Sequence, residues 1–476
     1  MEMAELDTVQ KVWQARQSVL QGDQEKTAQQ HASGKLTARE RVMKLLDEGS
    51  FIETDAMKAD CGAVAGCGTV DGRVAYVFAQ DYTVRGGAMC ERQAQKAIKL
   101  MRLARLNGGP VVLLLDSAGA YLSEGAVALN AYARVLSGLT ALSGVCPIIS
   151  VVMGPCLGSA AMLASISDIV IRVEKTSRLE LHASSVSGEE MTGDVLNAAG
   201  MAHITAATED EALATVCRLL NLLPACNVED APLVDSDDLN RLVDCEGGAS
   251  ASQLMEELSD RGSLIELSPN YGSGVRTALC KLGGRTVGLV ATDRDVDDGR
   301  LTAAGCEKAA RFIRFLDSYH LPIVTLIDSD GFAVSKGGEQ VWQMRAAGQL
   351  CYACAEATSP KVAVITGSAV GGAFIALGGS RMADITYAWP GAFISPLTAQ
   401  AATATLFDEQ LSAGEDRQAL EKAYTSSVSG AYAAQQGVVD DLIDPKETRK
   451  FIIASLETLA SKHEMSLPKK HGNMPL

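Results

Sequence analysis

The chain repeats a set of landmarks at a spacing of 212 or 213 residues, and this internal repeat constrains its fold more than any other feature. The paired landmarks are Gly72-Arg73 with Gly284-Arg285, Asp81 with Asp293, Asp116-Ser117 with Asp328-Ser329, and Gly158-Ser159-Ala160 with Gly371-Gly372-Ala373. Within each copy, apolar strand patterns alternate with helical patterns, which is typical of an α/β fold. The sequence therefore predicts two tandem copies of one α/β unit.

The domain boundaries follow from the repeat and from a polar segment between its copies. That segment, from Pro224 to Ser252, is interrupted by proline and glycine residues in the way that linkers commonly are. We predict a first domain at residues 1–228, a linker at 229–252 and a second domain at 253–476. The first domain begins with a helical extension, in which Thr37 and Glu40 have the spacing of a capping box.

Two uncharged stretches, residues 145–167 and 362–380, are long enough to cross a membrane. Each stretch divides into a β-branched run, a glycine-rich turn that starts at Gly154 or Gly367, and an alanine-rich run. This division favours a buried strand, a turn and a buried helix. We therefore expect a chain that does not span a membrane. Helices are also predicted at residues 415–424 and 446–460.

The net charge and the cysteine content indicate which partners the chain is suited to bind and in which cellular compartment it works. Lysine and arginine number 42 against 58 aspartate and glutamate residues, which gives a net charge of −16. Such a chain is a poor candidate for nucleic acid binding, although a local basic patch could still hold an anion. Twelve cysteines without a secretory leader pattern favour a reducing, cytoplasmic location. Cys351 and Cys354 lack a second pair at zinc-ligand spacing, so we expect them in a helix core.

The turns at Gly158 and Gly371 each follow a predicted strand and open a predicted helix. Amides at a helix N-terminus have no intrahelical acceptor, and small residues let a ligand approach the main chain. Such a turn can stabilise an oxygen that becomes anionic during a reaction. The alternative is that glycine and alanine serve only the close packing of strand against helix, and the residues alone leave it open.

Other kinds of catalytic site lack their sequence motifs. The sequence contains no Gly-x-x-x-x-Gly-Lys-Ser/Thr loop for a nucleotide and no Gly-x-Ser-x-Gly nucleophile elbow. The six histidines include no His-x-x-x-His pair. We therefore predict neither a metal site nor a histidine-based catalytic triad.

A set of longer motifs carries a resemblance to a known family over nearly the whole chain. They lie at residues 31–41, 49–53, 68–73, 80–88, 283–288, 308–312, 352–362, 387–390 and 437–449. With these motifs the sequence resembles the carboxyltransferase subunits of biotin-dependent acyl-CoA carboxylases of the propionyl-CoA carboxylase β type. The α subunits of biotin-dependent acyl-CoA decarboxylases are related to the same family.

The resemblance implies two tandem crotonase-like domains of the ClpP/crotonase superfamily. The N-terminal domain would bind acyl-CoA, and the C-terminal domain would bind carboxybiotin. The active site would lie between domains of different subunits in a homo-oligomer, from a dimer to a hexamer. The family moves a carboxyl group between carboxybiotin and the α-carbon of a short-chain acyl-CoA, and negative charge develops on oxygen in both partners.

The same resemblance implies roles for particular residues. Gly158 and Ser159 would hold the thioester enolate, and Gly372 and Ala373 would hold the ureido oxygen of biotin. The loops from Asp116 to Gly119 and from Asp328 to Phe332 would line the cleft. The implied substrate contacts are Gly86, Gly87, Ala118, Gly119, Gly331, Phe332 and Ile375.

No biotin carrier and no biotin carboxylase sequence is found on the chain, so the resemblance implies separate partner subunits. They would be a biotin carboxyl carrier protein with a biotin carboxylase subunit or, for the decarboxylase alternative, a sodium-pumping membrane subunit. Ser159 replaces a glycine that is usual in the family, and Tyr121 replaces an arginine. These departures motivate a further alternative, an inactive paralogue that serves as an assembly scaffold.

Overall fold

The computed structural model describes residues 10–464 except 15, 18, 20, 183–185, 187, 189, 190, 235, 236 and 245–248, together with residues 472 and 473. The chain divides into two units, Met1–Asp230 and Ala231–Leu476. Among the described residues, no helix is both long and apolar enough to cross a membrane.

Eight described strands form one mixed sheet in the first unit. They are β1 Ile52–Glu53, β2 Ala63–Val70, β3 Arg73–Gln80, β4 Val111–Ser117, β5 Ile148–Leu157, β6 Ile169–Val173, β7 Arg178–Glu180 and β8 Ile204–Ala206. The order is β1-β2-β3-β4-β5-β6-β8, with β7 paired to the end of β5. Strands β3 to β6 run parallel and are buried on both faces, which explains the continuous apolar run of β4.

Helices accompany this sheet. They are α1 Gln24–Ala32, α2 Ala38–Leu45, α3 Glu91–Asn107, α4 Ala126–Leu142, α5 Ser159–Ile166, α6 Gly193–Ala198 and α7 Glu209–Leu222. The predicted capping box is confirmed at the start of α2. The Glu40 amide donates to Thr37 Oγ1 at 3.3 Å, and the Thr37 amide donates to Glu40 Oε2 at 2.8 Å.

The second unit repeats the same sheet. Its strands are β9 Ile265–Leu267, β10 Val275–Leu282, β11 Arg285–Thr292, β12 Ile323–Ser329, β13 Lys361–Val370, β14 Ile385–Ala388, β15 Phe393–Ser395 and β16 Asp441–Leu442. Their order is β16-β14-β13-β12-β11-β10-β9, with β15 paired to β13. Even the register break recurs, between Leu115 and Ser117 and between Ile327 and Ser329. The prediction of two tandem α/β units is confirmed.

The helices of the second unit are α8 Ala251–Leu258, α9 Ala303–Ser318, α10 Gly338–Glu356, α11 Gly371–Ala376, α12 Ala399–Leu406, α13 Asp408–Ser412, α14 Arg417–Ser427, α15 Gly430–Gln435 and α16 Thr448–Thr458. Helices α14 and α16 confirm the two that were predicted near the C-terminus. Cys351 and Cys354 both lie in α10, where Cys354 is buried and Cys351 is partly buried.

The two uncharged stretches form a buried strand and a helix, as predicted, but the turns start later than expected. Strand β5 continues through Gly154 to Leu157, and β13 continues through Gly367 to Val370. Each glycine faces an aspartate carboxylate so closely that an added Cβ would overlap it, Gly154 with Asp116 and Gly367 with Asp328. These glycines therefore make room for a side chain and do not form the turn.

The segment predicted as a linker follows the surface of the second unit. The Val234 amide donates to Gly284 O at 3.1 Å, and the Val243 amide donates to Lys446 O at 2.9 Å. Arg241 Nη1 donates to Glu257 O at 2.8 Å. These contacts fix parts of the polar segment on the second unit.

Lys96 and Lys308 are buried lysines at equivalent positions of the repeat, and among the described residues only Lys96 has a carboxylate partner. Lys96 Nζ donates to Ala63 O at 3.0 Å and pairs with Glu53 at 3.1 Å. At the equivalent position, Lys308 Nζ donates to Val275 O at 2.7 Å. The carboxylate equivalent to Glu53 is Glu266, which pairs with Arg276 at 3.0 Å instead. Loss of solvent lowers the pKa of Lys308 to about 8.

Replacing Lys308 with methionine is expected to remove a pH dependence of stability above pH 8. The folded chain releases the Lys308 proton near pH 8, whereas the unfolded chain holds it to about pH 10.4. The unfolded chain thus binds more protons in this window, so the free energy of unfolding of the original protein rises with pH. Urea unfolding midpoints between pH 7.5 and 10.5 measure this rise. The K308M slope should be smaller, and equal slopes would contradict the assignment.

The matched control is Lys96→Met. Because Lys96 is one of two cations paired with the partly buried Glu53, its loss leaves that carboxylate with Arg39 alone, at 2.9 Å, and should destabilise the protein across the whole pH range.

Candidate functional site

Two loops of the first unit, one after β3 and one after β4, are hydrogen-bonded to each other at the carboxyl ends of these strands. The Ala118 amide donates to Gly86 O at 2.9 Å, and the Met89 amide donates to Gly119 O at 2.8 Å. The Gly119 amide donates to Ser117 Oγ at 3.1 Å, which closes the loop after β4. The predicted substrate contacts Gly86, Gly87, Ala118 and Gly119 therefore lie together.

Backbone packing explains why two of these positions are glycine. Gly87 has a φ of +63°, and an added Cβ would overlap the carbonyl oxygen of Asp116. Gly119 has a φ of +108°, and an added Cβ would lie 3.3 Å from Leu157 O. Both φ values belong to a region that side chains rarely adopt. The Ser117–Gly119 loop therefore packs against the end of β5, directly before the Gly158 turn.

The Gly158 turn has one amide engaged within the fold. Gly158 has a φ of +62°, and its N–H donates to Glu180 O at 2.8 Å. The expectation that Gly158 and Ser159 both offer free amides is therefore wrong for Gly158, because strand β7 takes up its N–H. The amides of Ser159 and Ala160 lie in the first turn of α5 and have no acceptor among the residues that the structure describes.

The second unit builds the same arrangement. The Leu301 amide donates to Gly331 O at 2.9 Å, as Met89 does to Gly119 in the first unit. Gly331 lies beside Val370, with 3.8 Å between the position of an added Cβ and Val370 O. An added Cβ on Gly372 would lie 3.2 Å from the Phe332 ring. The structure thus brings together Gly331, Phe332 and Gly372.

The remaining predicted residues of the second unit lie on helix α11. Ala373 is buried, and its amide belongs to the first turn, like that of Gly372. In the described part of the chain, neither amide has an acceptor. Ile375 follows one half-turn later and is 50% exposed, so an apolar side chain borders the turn.

The two aspartates that precede the loops differ in their surroundings. Asp116 is buried, with Lys35 Nζ at 3.0 Å and Arg41 Nη1 at 2.9 Å. Burial opposes the Arg41 charge, but the Glu209 and Asp116 carboxylates more than offset it and raise the pKa of Arg41. The expectation that Asp116 itself lines a cleft is therefore wrong, because its carboxylate is used inside the fold. Asp328 is less buried and pairs with the exposed Arg294 at 3.3 Å.

Sequence reasoning missed a cavity of about 690 Å³ beside the first-unit loops. Its lining includes Lys26, Lys35, Arg85 and Lys175 together with Gly86. These cations are up to 149 residues apart in the sequence, so no local basic run indicates the cavity. One sequence feature could have indicated the cavity, namely Tyr121 in place of the arginine that is usual in the family. In the structure, the Arg85 guanidinium lies 4.8 Å from the centre of the Tyr121 ring.

Within the described residues, no group of three or more His, Cys, Asp or Glu side chains is arranged to hold a metal ion. The polar groups at the turns include the main-chain amides of Ser159, Ala160, Gly372 and Ala373. Amides at such positions stabilise negative charge on oxygen, with about 2.7–4 kcal/mol of transition-state stabilisation for one well-placed donor.

Comparison with known proteins agrees with this arrangement. Residues 29–474 match the family described as "Carboxyl transferase domain". The methylmalonyl-CoA decarboxylase α subunit of Veillonella parvula is 38% identical, with 96% of each chain covered. The propionyl-CoA carboxylase β chain of Saccharopolyspora erythraea is 37% identical, covering 97% of this chain and 94% of that protein.

A solved structure has the same fold as this chain. The transcarboxylase 12S crystal structure, a hexamer with methylmalonyl-coenzyme A and methylmalonic acid bound, superposes with a TM-score of 0.92. The identity is 32%, and 98% of each chain is covered. This similarity confirms the predicted fold of two tandem crotonase-like domains.

Proposed function

Because the chain belongs to the carboxyl transferase domain family, we propose that it moves a carboxyl group between biotin and the α-carbon of a short-chain acyl-CoA. It is a biotin-dependent enzyme that acts on coenzyme A thioesters. The observation that carries the proposal is the pair of equivalent turns, each with first-turn amides beside a loop whose glycine, Gly119 or Gly331, has a φ that side chains rarely adopt.

We assign the second-unit turn to the ring of biotin. The Phe332 ring lies against Gly372, where an added Cβ would be 3.2 Å from it, so an aromatic ring borders the amides of Gly372 and Ala373. When bound, biotin supplies the transferable carboxyl group and a ureido oxygen that takes up negative charge. We assign the two amides to that oxygen, and the Phe332 ring to one wall of the site. Ile375 borders the same turn and would restrict the size of the acyl group.

In the first unit, we assign the Ser159 amide to the thioester oxygen. Gly158 supplies the left-handed turn that aims α5, and its own N–H stays with Glu180. Gly86, Gly87, Ala118 and Gly119 form the neighbouring surface for the thioester. Loss of the α-proton, which the ureido anion of biotin would accept, places negative charge on the thioester oxygen. An amide that stabilises this charge makes the α-proton more acidic and lowers the barrier to carboxyl transfer. No side-chain base is required.

The proposal includes separate partners. We propose that a biotin carboxyl carrier protein and a biotin carboxylase subunit act with this chain, since the related propionyl-CoA carboxylases are named as β chains. A homo-oligomer, between a dimer and a hexamer, is supported by the hexamer named for transcarboxylase 12S. The domain division at 1–228, 229–252 and 253–476, and a cytoplasmic location, are part of the same proposal.

A second candidate function is the reverse transfer in a decarboxylase system. The α subunits of methylmalonyl-CoA decarboxylases from Veillonella parvula and Propionigenium modestum, at 38% and 35% identity, favour it. Because the same site must serve both directions, the partner subunits decide between them. A neighbouring gene for a biotin carboxylase supports the first function, and one for a polytopic membrane subunit supports the second.

Purified protein is expected to consume malonyl-CoA or methylmalonyl-CoA in a reaction that depends on free biotin. Loss of the carboxyacyl-CoA is followed by liquid chromatography, with a reaction lacking biotin as the control. Turnover should be fastest with a short acyl group and should fall as the acyl chain lengthens. Absence of biotin-dependent turnover with every short acyl thioester would instead favour the scaffold alternative.

A further inference from the structure

The turn Arg85–Gly87 and its equivalent in the second unit share a backbone but carry opposite charges. Arg85 and Gly86 have φ values of +54° and +64°, and Asp297 and Asp298 have φ values of +48° and +55°. Left-handed backbone at these positions is thus a property of the repeat and needs no functional explanation. The side chains are what differ, since an arginine stands in the first unit where an aspartate stands in the second.

The two turns also differ in how their charges are neutralised. Asp297 and Asp298 pair with Arg300 at 3.2 and 3.3 Å. Arg85, by contrast, has no carboxylate partner among the described residues, and its guanidinium rests on the Tyr121 ring at 4.8 Å. Stacking on an aromatic face orients a guanidinium while leaving its N–H groups free to donate.

The surroundings of Arg85 are cationic in a chain whose net charge is −16. The cavity of about 690 Å³ that it borders has no aspartate or glutamate in its described lining. Lys35, also in this lining, already pairs with Asp116, whereas the exposed Lys175 has no ion-pair partner in the described structure. Gly86 places the cavity directly beside the thioester surface of the first unit.

We propose that Arg85, held in place by stacking on Tyr121, binds anionic oxygens of the thioester ligand, and that Tyr121 is the residue that positions it. The inference rests on the proposed function and deepens it, by naming a side chain of the first unit that selects the ligand. Two groups of a coenzyme A thioester offer such oxygens, namely the phosphates of coenzyme A and the α-carboxylate of a carboxyacyl group. Arginine binds both because its planar fork matches two oxygens at once.

The test is the binding of coenzyme A and of acyl thioesters to the full-length protein, measured by calorimetry. Arg85→Gln is expected to weaken the binding of malonyl-CoA, which carries both the phosphates and the α-carboxylate, about tenfold, the loss typical of a charge-assisted contact. Tyr121→Leu should weaken the same binding about threefold. Tyr121→Phe should bind nearly as well as the original protein, because the aromatic ring remains. Arg102→Gln, which removes an exposed charge from α3, is the control for a change in net charge.

Pantetheine thioesters separate the two sources of anionic oxygen. If the phosphates are the ligand, R85Q weakens coenzyme A but leaves malonyl-pantetheine unchanged. If the α-carboxylate is the ligand, R85Q weakens malonyl-pantetheine but leaves propionyl-pantetheine unchanged. The inference is overturned if R85Q and R102Q bind every probe equally well, or if Y121F and Y121L lose the same affinity. Because binding is read without turnover, these outcomes are distinct from failure of the proposed function.

Discussion

Replacing Gly372 with valine is expected to lower the rate of biotin-dependent carboxyl transfer by about 10²–10³-fold, the loss typical of a removed oxyanion donor. An added Cβ already lies 3.2 Å from the Phe332 ring, and the two methyl groups of valine extend further over the amides of Gly372 and Ala373. The ligand oxygen could then no longer approach those amides. The rate is measured with free biotin and malonyl-CoA or methylmalonyl-CoA at saturating thioester.

Gly391→Val is the matched control for this substitution. Gly391 belongs to the same unit, has ordinary backbone φ, and faces open space, so valine there should leave the rate unchanged. Urea unfolding of both variants shows whether the fold is intact. If G372V is folded and transfers carboxyl groups at the original rate, the assignment of Gly372 to the biotin site is wrong.

Replacing Asp116 with asparagine is expected to lower the free energy of unfolding by about 3–5 kcal/mol, the typical cost of breaking a buried ion pair. The change keeps the shape of the side chain but removes the charge that Lys35 and Arg41 share inside the fold. Glu209 still neutralises Arg41, whereas the ammonium of Lys35 is left without a described carboxylate. The urea midpoint of D116N, at unchanged m-value, measures this loss.

The internal repeat supplies the control, Asp328→Asn. Asp328 occupies the equivalent position but pairs with Arg294, which is exposed to solvent, so its charge contributes about 1 kcal/mol or less. An asparagine oxygen can still accept from the Ser368 amide, as the Asp328 carboxylate does at 2.8 Å. Equal destabilisation by D116N and D328N would contradict the account that, of these two equivalent aspartates, only Asp116 belongs to a buried ion-pair network.

Local patterns in the sequence were sufficient to predict the architecture. The spacing of the landmarks identified two copies, and β-branched runs followed by glycine and alanine identified β5 with α5 and β13 with α11. The strand signals are local because a strand that is buried on both faces needs continuous apolar residues, whereas the repeat spacing compares positions 212 or 213 residues apart. The capping box of α2 can also be predicted from the sequence, because Thr37 and Glu40 lie within four residues of each other.

What the sequence could not show depends on contacts between distant residues. The engagement of the Gly158 amide requires strand β7 to pair with the end of β5, and this pairing has no local signature. The burial of Asp116 depends on Lys35 and Arg41, which precede it by 81 and 75 residues. The sequence predicts Gly154 as a turn residue, because the Asp116 carboxylate that it accommodates comes from another strand and leaves no local signal.

The most direct test of the account is to follow a labelled carboxyl group. The protein is mixed with free biotin and with methylmalonyl-CoA or malonyl-CoA carrying ¹³C in the free carboxyl group, and carboxybiotin is trapped as its methyl ester for mass spectrometry. The account predicts that the label appears on biotin with the original protein and with G391V, and falls by at least about tenfold with G372V. Release of the label as CO2 at the same rate with and without biotin, and none on biotin, would contradict it.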